Sequence, residues 1–205
     1  MGEFAKTANS AARALSTTTN EYAKASLIFF QQGLSDQQVK ERADITVKLA
    51  NVTQQSMEDV SSYMTAVWNN FYDGSKSLEY YADAITALGA ATASSSEEIA
   101  TGLQKFAAIA DTVGLSYEYA TAALATVTAK TRESAETVGT SFKSIFARLE
   151  SLSLGETLDD DTTMTKYSEA LARVGINVKD VNGNLRTVDE IINDVGERWS
   201  LLSRD

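Results

Sequence analysis

Three consecutive aspartates, Asp159-Asp160-Asp161, are the densest set of hard oxygen ligands in the chain, and such carboxylates bind divalent cations when a loop folds them into a cage. No partner ligands stand at a matching spacing, so the run reads as a solvated acidic loop. The segment Asp180-Val181-Asn182-Gly183-Asn184 has the opening of a calcium loop. Its glycine is fourth rather than sixth, however, and Ile191 stands where a twelfth-position glutamate is needed. A hairpin turn explains those residues better. Glu97 and Glu98 are adjacent, so on a helix they do not face each other as the paired acids of a glycosidase would. Glu190 and Glu197 share a helix face, where capping and solvation account for them. The chain has no histidine and no cysteine. Disulfides, thiolate or imidazole metal ligands and Ser-His or Cys-His nucleophile pairs are therefore excluded. The sequence predicts no catalytic residue, no metal site and no cofactor. An enzyme working through Asp, Glu and Tyr alone is the alternative left in that class.

Recognition is the chemistry these residues suit better. Trp68, Phe71 and Tyr72, with Tyr80 and Tyr81 beyond a turn, form the richest aromatic cluster, and large aromatics anchor interfaces as well as cores. Trp68, Phe71 and Tyr81 fall on the inner stripes of helical patterns, whereas Tyr72 and Tyr80 fall off them and are the candidate partner surface. A second candidate lies at the N-terminus. Ala8, Leu15, Tyr22 and Phe29 recur every seven residues, and Ala11, Thr18 and Ala25 follow the first three at three places, which is a weak heptad suited to self-association. The competing reading is a solvated, Ser/Thr-rich helix that packs only near Leu27 to Phe30.

The elements that position these residues are helices. Proline is absent from all 205 positions, and a proline inside a helix costs about 3 kcal/mol. Gly33 stops one helix, and Ser35 with Gln38 forms a capping box for the next, from Asp36. Val60, Met64, Val67, Trp68 and Phe71 share a face; Leu78, Tyr81, Ile85 and Leu88 share another. Asp73-Gly74-Ser75 separates the two helices, with Ser75 as the expected cap. Ser94 to Ser96 precede a helix with Glu97 and Glu98 in its first turn and Ile99, Leu103, Phe106, Ala110 and Val113 inward. Gly114-Leu115-Ser116 fits a Schellman-type stop followed by a cap, after which Tyr117, Ala120, Leu124 and Val127 face inward. The strongest stripe then runs through Ala135, Val138, Phe142, Ile145, Phe146, Leu149 and Leu152. Gly89, Gly102, Gly139 and Gly196 sit inside helical patterns and suggest close helix approach or a local break.

Toward the C-terminus, INVKDVNGNLRTV reads as two short strands joined by a type I′ turn at Asn182-Gly183. Thr187 and Glu190 form a capping box for a last helix with Val188, Ile191, Ile192, Val195, Trp199 and Leu202 inward. The predicted fold class is mainly α. A long, weakly heptad N-terminal helix occupies residues 1–33, and a multi-helix bundle core occupies 34–153. An acidic linker spans 154–163, and a small helix–β-hairpin–helix module spans 164–205.

The formal charge of −10, with no basic cluster, argues against nucleic acid as a partner. The first twenty residues lack the pattern of a secretory signal, and no run approaches the roughly 18 apolar residues of a membrane span. The amphipathic pattern at Leu201 and Leu202 breaks off at Arg204-Asp205, so the chain reads as a piece of a longer protein.

Four segments resemble the core region of phage tail tape-measure proteins of siphoviruses. The longest is ADAITALGAATASSSEEIATGLQKFAAIADTVGLSYEYATAALATVTAKTRESAETVGTSFKSIFARLESL, within the stretch from Tyr81 to Leu152. The others are LIFFQQGLSDQQVKERAD at 27–44, VWNNFYDG at 67–74 and ALARVGINVKDVNGNLRTVDEIINDVGERWSLLS at 170–203. The resemblance implies a non-enzymatic scaffold and ruler for tail-tube assembly and length determination. It implies copies of itself, tail-tube subunits, assembly chaperones and tail-tip proteins as partners, and passage from the host cytoplasm to the lumen of the virion tail. Membrane passage and cell-wall hydrolysis, associated with some members, do not carry over to these residues. The alternative is a generic helical adaptor or effector domain that binds a single protein partner.

Overall fold

The computed structural model describes residues 2–154, 164–184 and 186–198. Ten α-helices make up the fold among these: α1 (Gly2–Ala14), α2 (Thr19–Gln31), α3 (Asp36–Thr53), α4 (Met57–Phe71), α5 (Leu78–Ala91), α6 (Ser96–Thr112), α7 (Tyr117–Thr131), α8 (Ala135–Leu154), α9 (Met164–Arg173) and α10 (Val188–Arg198). The aspartate run 159–161, residues 155–163 of the expected linker, Trp199, Leu202 and the side chain of Leu152 lie outside the described set.

Short polar signals set most helix starts. Ser35 and Gln38 bond reciprocally before α3, and Ser95 with Glu98 do the same before α6. Ser56 and Ser116 cap α4 and α7. The end of α6 is a Schellman motif, as the sequence suggests: Leu115 N donates to Ala110 O and Gly114 N to Asp111 O, both at 2.9 Å, with Gly114 at φ 74°.

The expected single N-terminal helix is instead two, α1 and α2. The chain turns at Ser16 (φ 56°), and Thr18 with Glu21 forms a capping box that restarts it. The Ser/Thr-rich stretch 16–19 supplies the hydroxyls that compete with helix continuation. The cap of α5 is also displaced. Ser77, not Ser75, accepts from the Tyr80 amide, because Ser75 N is drawn to the Asp73 carboxylate at 2.8 Å.

The C-terminal hairpin does not form strands among the described residues. A single bridge at Lys179 is all the β structure there, flanked by the bonds Asp180 N to Asn184 O and Arg186 N to Val178 O. The turn is not type I′ either, since Gly183 (φ 84°) is at positive φ and Asn182 is not. Asp180 is the reason: its carboxylate accepts from both Asn182 N and Asn184 N and holds a tight loop that leaves no length for a ladder. Glu190 does reach back to Thr187 N, as the capping pattern predicts.

The central element is α6, which packs on α4, α5, α7 and α8, while α2 packs on α1, α3 and α4. One core cluster runs from Ala8 to Val188, so residues of segments 1–33, 34–153 and 164–205 all contribute to it. Ile176, Val178 and Ile191 form a smaller cluster against Leu149. The predicted stripes of α4 to α7 face inward. In α8, Val138, Phe142 and Phe146 of the predicted stripe turn toward α6, whereas Ile145 lies at the edge of that face and is 45% exposed. The close approach inferred from glycine is real between α6 and α8, where Gly139 lies on Gly102. Gly196 has open space beside it and marks no such approach.

Candidate partner surface around Tyr72 and Tyr80

Tyr72 and Tyr80 come together at one end of the bundle, where the α4–α5 turn meets the α6–α7 turn. Tyr72 leaves the helical conformation (φ −82°, ψ 111°), Gly74 takes φ 85°, and the Asp73 carboxylate ties down the Ser75 amide. This compact turn places Lys76 immediately before α5 and Tyr80 in its first turn. On the facing turn, Gly114 and the Ser116 cap place Tyr117 and Glu118 in the first turn of α7.

A ring network joins the two turns. Tyr81 packs edge-on to Tyr117 at 4.9 Å between centroids, Tyr80 to Tyr81 at 5.6 Å, and Tyr72 to Tyr81 at 6.2 Å. Buried hydroxyls are satisfied by backbone: Tyr81 donates to Phe71 O at 2.9 Å, and Tyr117 donates to Tyr81 O. Burial pushes both phenols above their ordinary range. Near neutral pH they are hydrogen-bond donors and packing groups, not bases.

The rim is charged. Tyr80 donates to Glu118 Oε1 at 2.6 Å, and the Lys76 ammonium bonds both the Tyr80 hydroxyl (3.0 Å) and the same carboxylate oxygen. The ammonium also lies 4.1 Å from the centroid of the Tyr80 ring. The Lys76 hydrogen bond, followed by that of Tyr80, holds the Glu118 carboxyl down at about 2, and Glu118 raises Lys76 in turn. Between the turns lies an open cleft of about 450 Å³ lined in part by Tyr72, Asp73, Asp111, Tyr117 and Glu118. Tyr72, at 41% exposure, is its most accessible ring.

The other candidate surface is built differently. Ala8, Tyr22 and Phe29 are buried in the chain's own core and Leu15 is half-buried, so these four do not line a free face. The break at Ser16 turns α1 back on α2 and closes the heptad face on itself. Tyr22 donates to Asp44 Oδ1 at 2.7 Å, and Phe29 stacks at a tilt on Trp68 at 5.9 Å.

Sequence reasoning missed Arg42 and Glu118. The Arg42 guanidinium lies 5.0 Å over the Trp68 ring at 9% exposure, and its Nε and Nη1 have no hydrogen-bond partner. Burial lowers its pKa. An isolated Arg inside an α3 pattern carries no signal of this, and Glu118 meets Lys76 across 42 positions. Only the Lys76–Tyr80 spacing of four was visible in advance.

Three of the carboxylates considered for chemistry act in structure. Glu98 accepts from Ser95 N, Asp180 closes its turn, and Glu190 lies 3.7 Å from the Arg186 guanidinium. Among the described residues no group of three or more His, Cys, Asp or Glu is placed to hold a metal ion. No described helix is long and apolar enough to cross a membrane.

The fold is helical almost throughout the described residues. Residues 6–205 match the family described as phage-related minor tail protein. The chain belongs to that family, which makes it a component of the virion tail. No curated protein and no solved structure matches it.

Proposed function

We propose that this chain is a segment of a tape-measure protein, a non-enzymatic scaffold around which the tail tube assembles and whose length sets that of the tail. The observation that carries this reading is the local definition of the helix ends. Each of α2 to α7 is preceded by a Ser or Thr whose side chain accepts from the backbone N–H three residues on. Such helices keep their limits when tertiary contacts are exchanged for contacts with other chains, as an extended tape requires. A helix advances about 1.5 Å per residue, so an extended chain converts sequence length to tube length. Partners on this reading are further copies of the chain, tail-tube subunits, assembly chaperones and tail-tip proteins. The protein passes from the host cytoplasm during assembly to the tail lumen.

The test is tail length by electron microscopy for a phage whose gene lacks codons 36–152 in frame. Removing these roughly 117 residues shortens the tail by up to about 175 Å if the whole segment is extended as helix and measured. A second reading, a compact binding module within the tail, is favoured by the single core that runs from Ala8 to Val188. Tails of unchanged length would support that reading and sink the ruler.

A further inference from the structure

Helices α7 and α8 are joined by Arg132, Glu133 and Ser134 alone, and Arg132 turns the chain by standing at φ 60°. After α2 and α6 the same left-handed conformation falls to Gly33 and Gly114, which adopt it without strain. Arg132 has a Cβ that opposes it and is itself a good helix former. Its side chain adds little to the turn, since it reaches Ala93 O at 3.4 Å, long for a hydrogen bond. The inner faces of the two helices are also in phase across the turn. Spacings of three and four run unbroken through Leu124, Thr128, Thr131, Ala135, Val138 and Phe142. Thr131, beside the turn, is exposed, and the other five are buried or half-buried. A straight helix through this point would carry one continuous inner face. Both parts of that face already bind α6, where Gly102 lies against Leu124 of α7 and Gly139 of α8, and Lys105 pairs with Glu136 of α8 at 2.7 Å.

We propose that α7 and α8 straighten into one helix at Arg132 and that α8 then seats on α6 of a second copy of this chain. A short, strained hinge between two packed elements favours such an exchange. The second copy is the occupant because its α6 offers α8 the very surface that α8 leaves. The Gly102–Gly139 approach and the Lys105–Glu136 pair re-form between chains, so no new contact surface has to be invented. The helix directions allow both exchanges at once. Gly102 meets Gly139 and Phe106 meets Phe142 and Phe146, so α6 runs parallel to α8, while the tight turn at Gly114 sets it antiparallel to α7. A two-fold axis across the hinge therefore relates the two copies and closes the pair. The exchange gives a geometry to the self-association named above and rests on that part of the reading, but not on whether the segment measures length.

The test uses the full chain, which has no cysteine, so single introduced thiols report cleanly. Lys105→Cys and Glu136→Cys chains are mixed at high concentration, refolded from urea and treated with a short bis-maleimide. A cross-linked dimer with one chain of each kind is expected, well above that formed by Lys105→Cys with Ser141→Cys, a change at an exposed position of α8. Arg132→Gly relieves the turn and weakens the straight helix, and should cut the mixed product about tenfold. Ser134→Ala removes the cap that Thr137 N uses at 3.1 Å in the turned form alone, and should raise it about fivefold. No mixed product above the Ser141 control, or equal amounts from Arg132→Gly and Ser134→Ala, overturns the proposal. A dimer by light scattering that lacks the 105–136 cross-link would lie on another surface and overturns it as well. Tail length in the deletion phage is a separate readout, so the exchange and the ruler can fail independently.

Discussion

Gly139 of α8 lies so close to Gly102 of α6 that a Cβ at position 139 would stand 2.5 Å from the Gly102 carbonyl oxygen. A Cβ at Gly102 would in turn meet Leu124 at 2.6 Å and the Ala135 carbonyl at 3.0 Å. The tight crossing brings Phe106 to within 5.3 Å of Phe142 and 5.7 Å of Phe146, centroid to centroid. This contact seats the longest helix on the central one.

Gly139→Ala should therefore lower the unfolding midpoint, by the equivalent of about 1–3 kcal/mol, although alanine is the better helix former. The clash is with backbone, which cannot move aside as a flexible side chain would. Gly196→Ala is the control: nothing lies within 4 Å of its added Cβ, and a gain of up to about 1 kcal/mol is expected. Urea unfolding of the two variants checks both, and a stabilised Gly139→Ala would contradict the crossing.

Arg42→Met should raise stability by about 1 kcal/mol. Methionine keeps an apolar stem against Trp68 and removes the two buried nitrogens that have no acceptor. A lower melting temperature would mean that the stack of the guanidinium on Trp68 outweighs its desolvation.

Acid should weaken the Lys76–Glu118 link in a defined window. The Glu118 carboxyl is lowered from 4.5 to about 2 in the folded chain, so the unfolded state binds the proton more readily. Its contribution is fully present above pH 4.5 and is lost as the pH falls toward 2. The side chains of Lys76 and Glu118 are 43% and 48% exposed, so the effect is small and screened by salt. Urea midpoints between pH 5 and pH 2 should fall less steeply for Glu118→Gln than for the unaltered protein. Parallel curves would show that the pair adds nothing to folding.

The start of α5 can be located by two serines. Ser77→Ala removes the side-chain acceptor of the Tyr80 amide, leaving it only the Ser77 carbonyl, and should cost about 1 kcal/mol. Ser75→Ala leaves that cap intact and should cost only a few tenths by the usual scale of exposed polar changes. Equal costs would place the cap wrongly.

Sequence alone determined most of the helices and most of their inner faces. Caps such as Ser35 with Gln38 and stops such as Gly114 act within four or five residues, so their chemistry is complete in the local sequence. The stripes of α4 to α7 were legible for a related reason, since the 3.6-residue period reports one buried face whatever covers it. The local competitors were harder. At Ser16 to Thr19 and at Asp180, side chains bonding nearby backbone decided between a helix and a break, or between a strand and a turn, by margins a pattern does not reveal.

Only the tertiary structure decided which of two aromatic or apolar patches is free. The heptad residues Ala8, Tyr22 and Phe29 are closed inside the fold because α1 turns back at Ser16, and Tyr72 stays open because the α4 helix ends there. Lys76, Tyr80 and Glu118 form one unit because two turns far apart in sequence meet at one end of the bundle. Contacts of that kind depend on how helices cross. Periodicity fixes which face a helix buries but not which neighbour it meets, and that choice was made by close approaches such as Gly102 on Gly139.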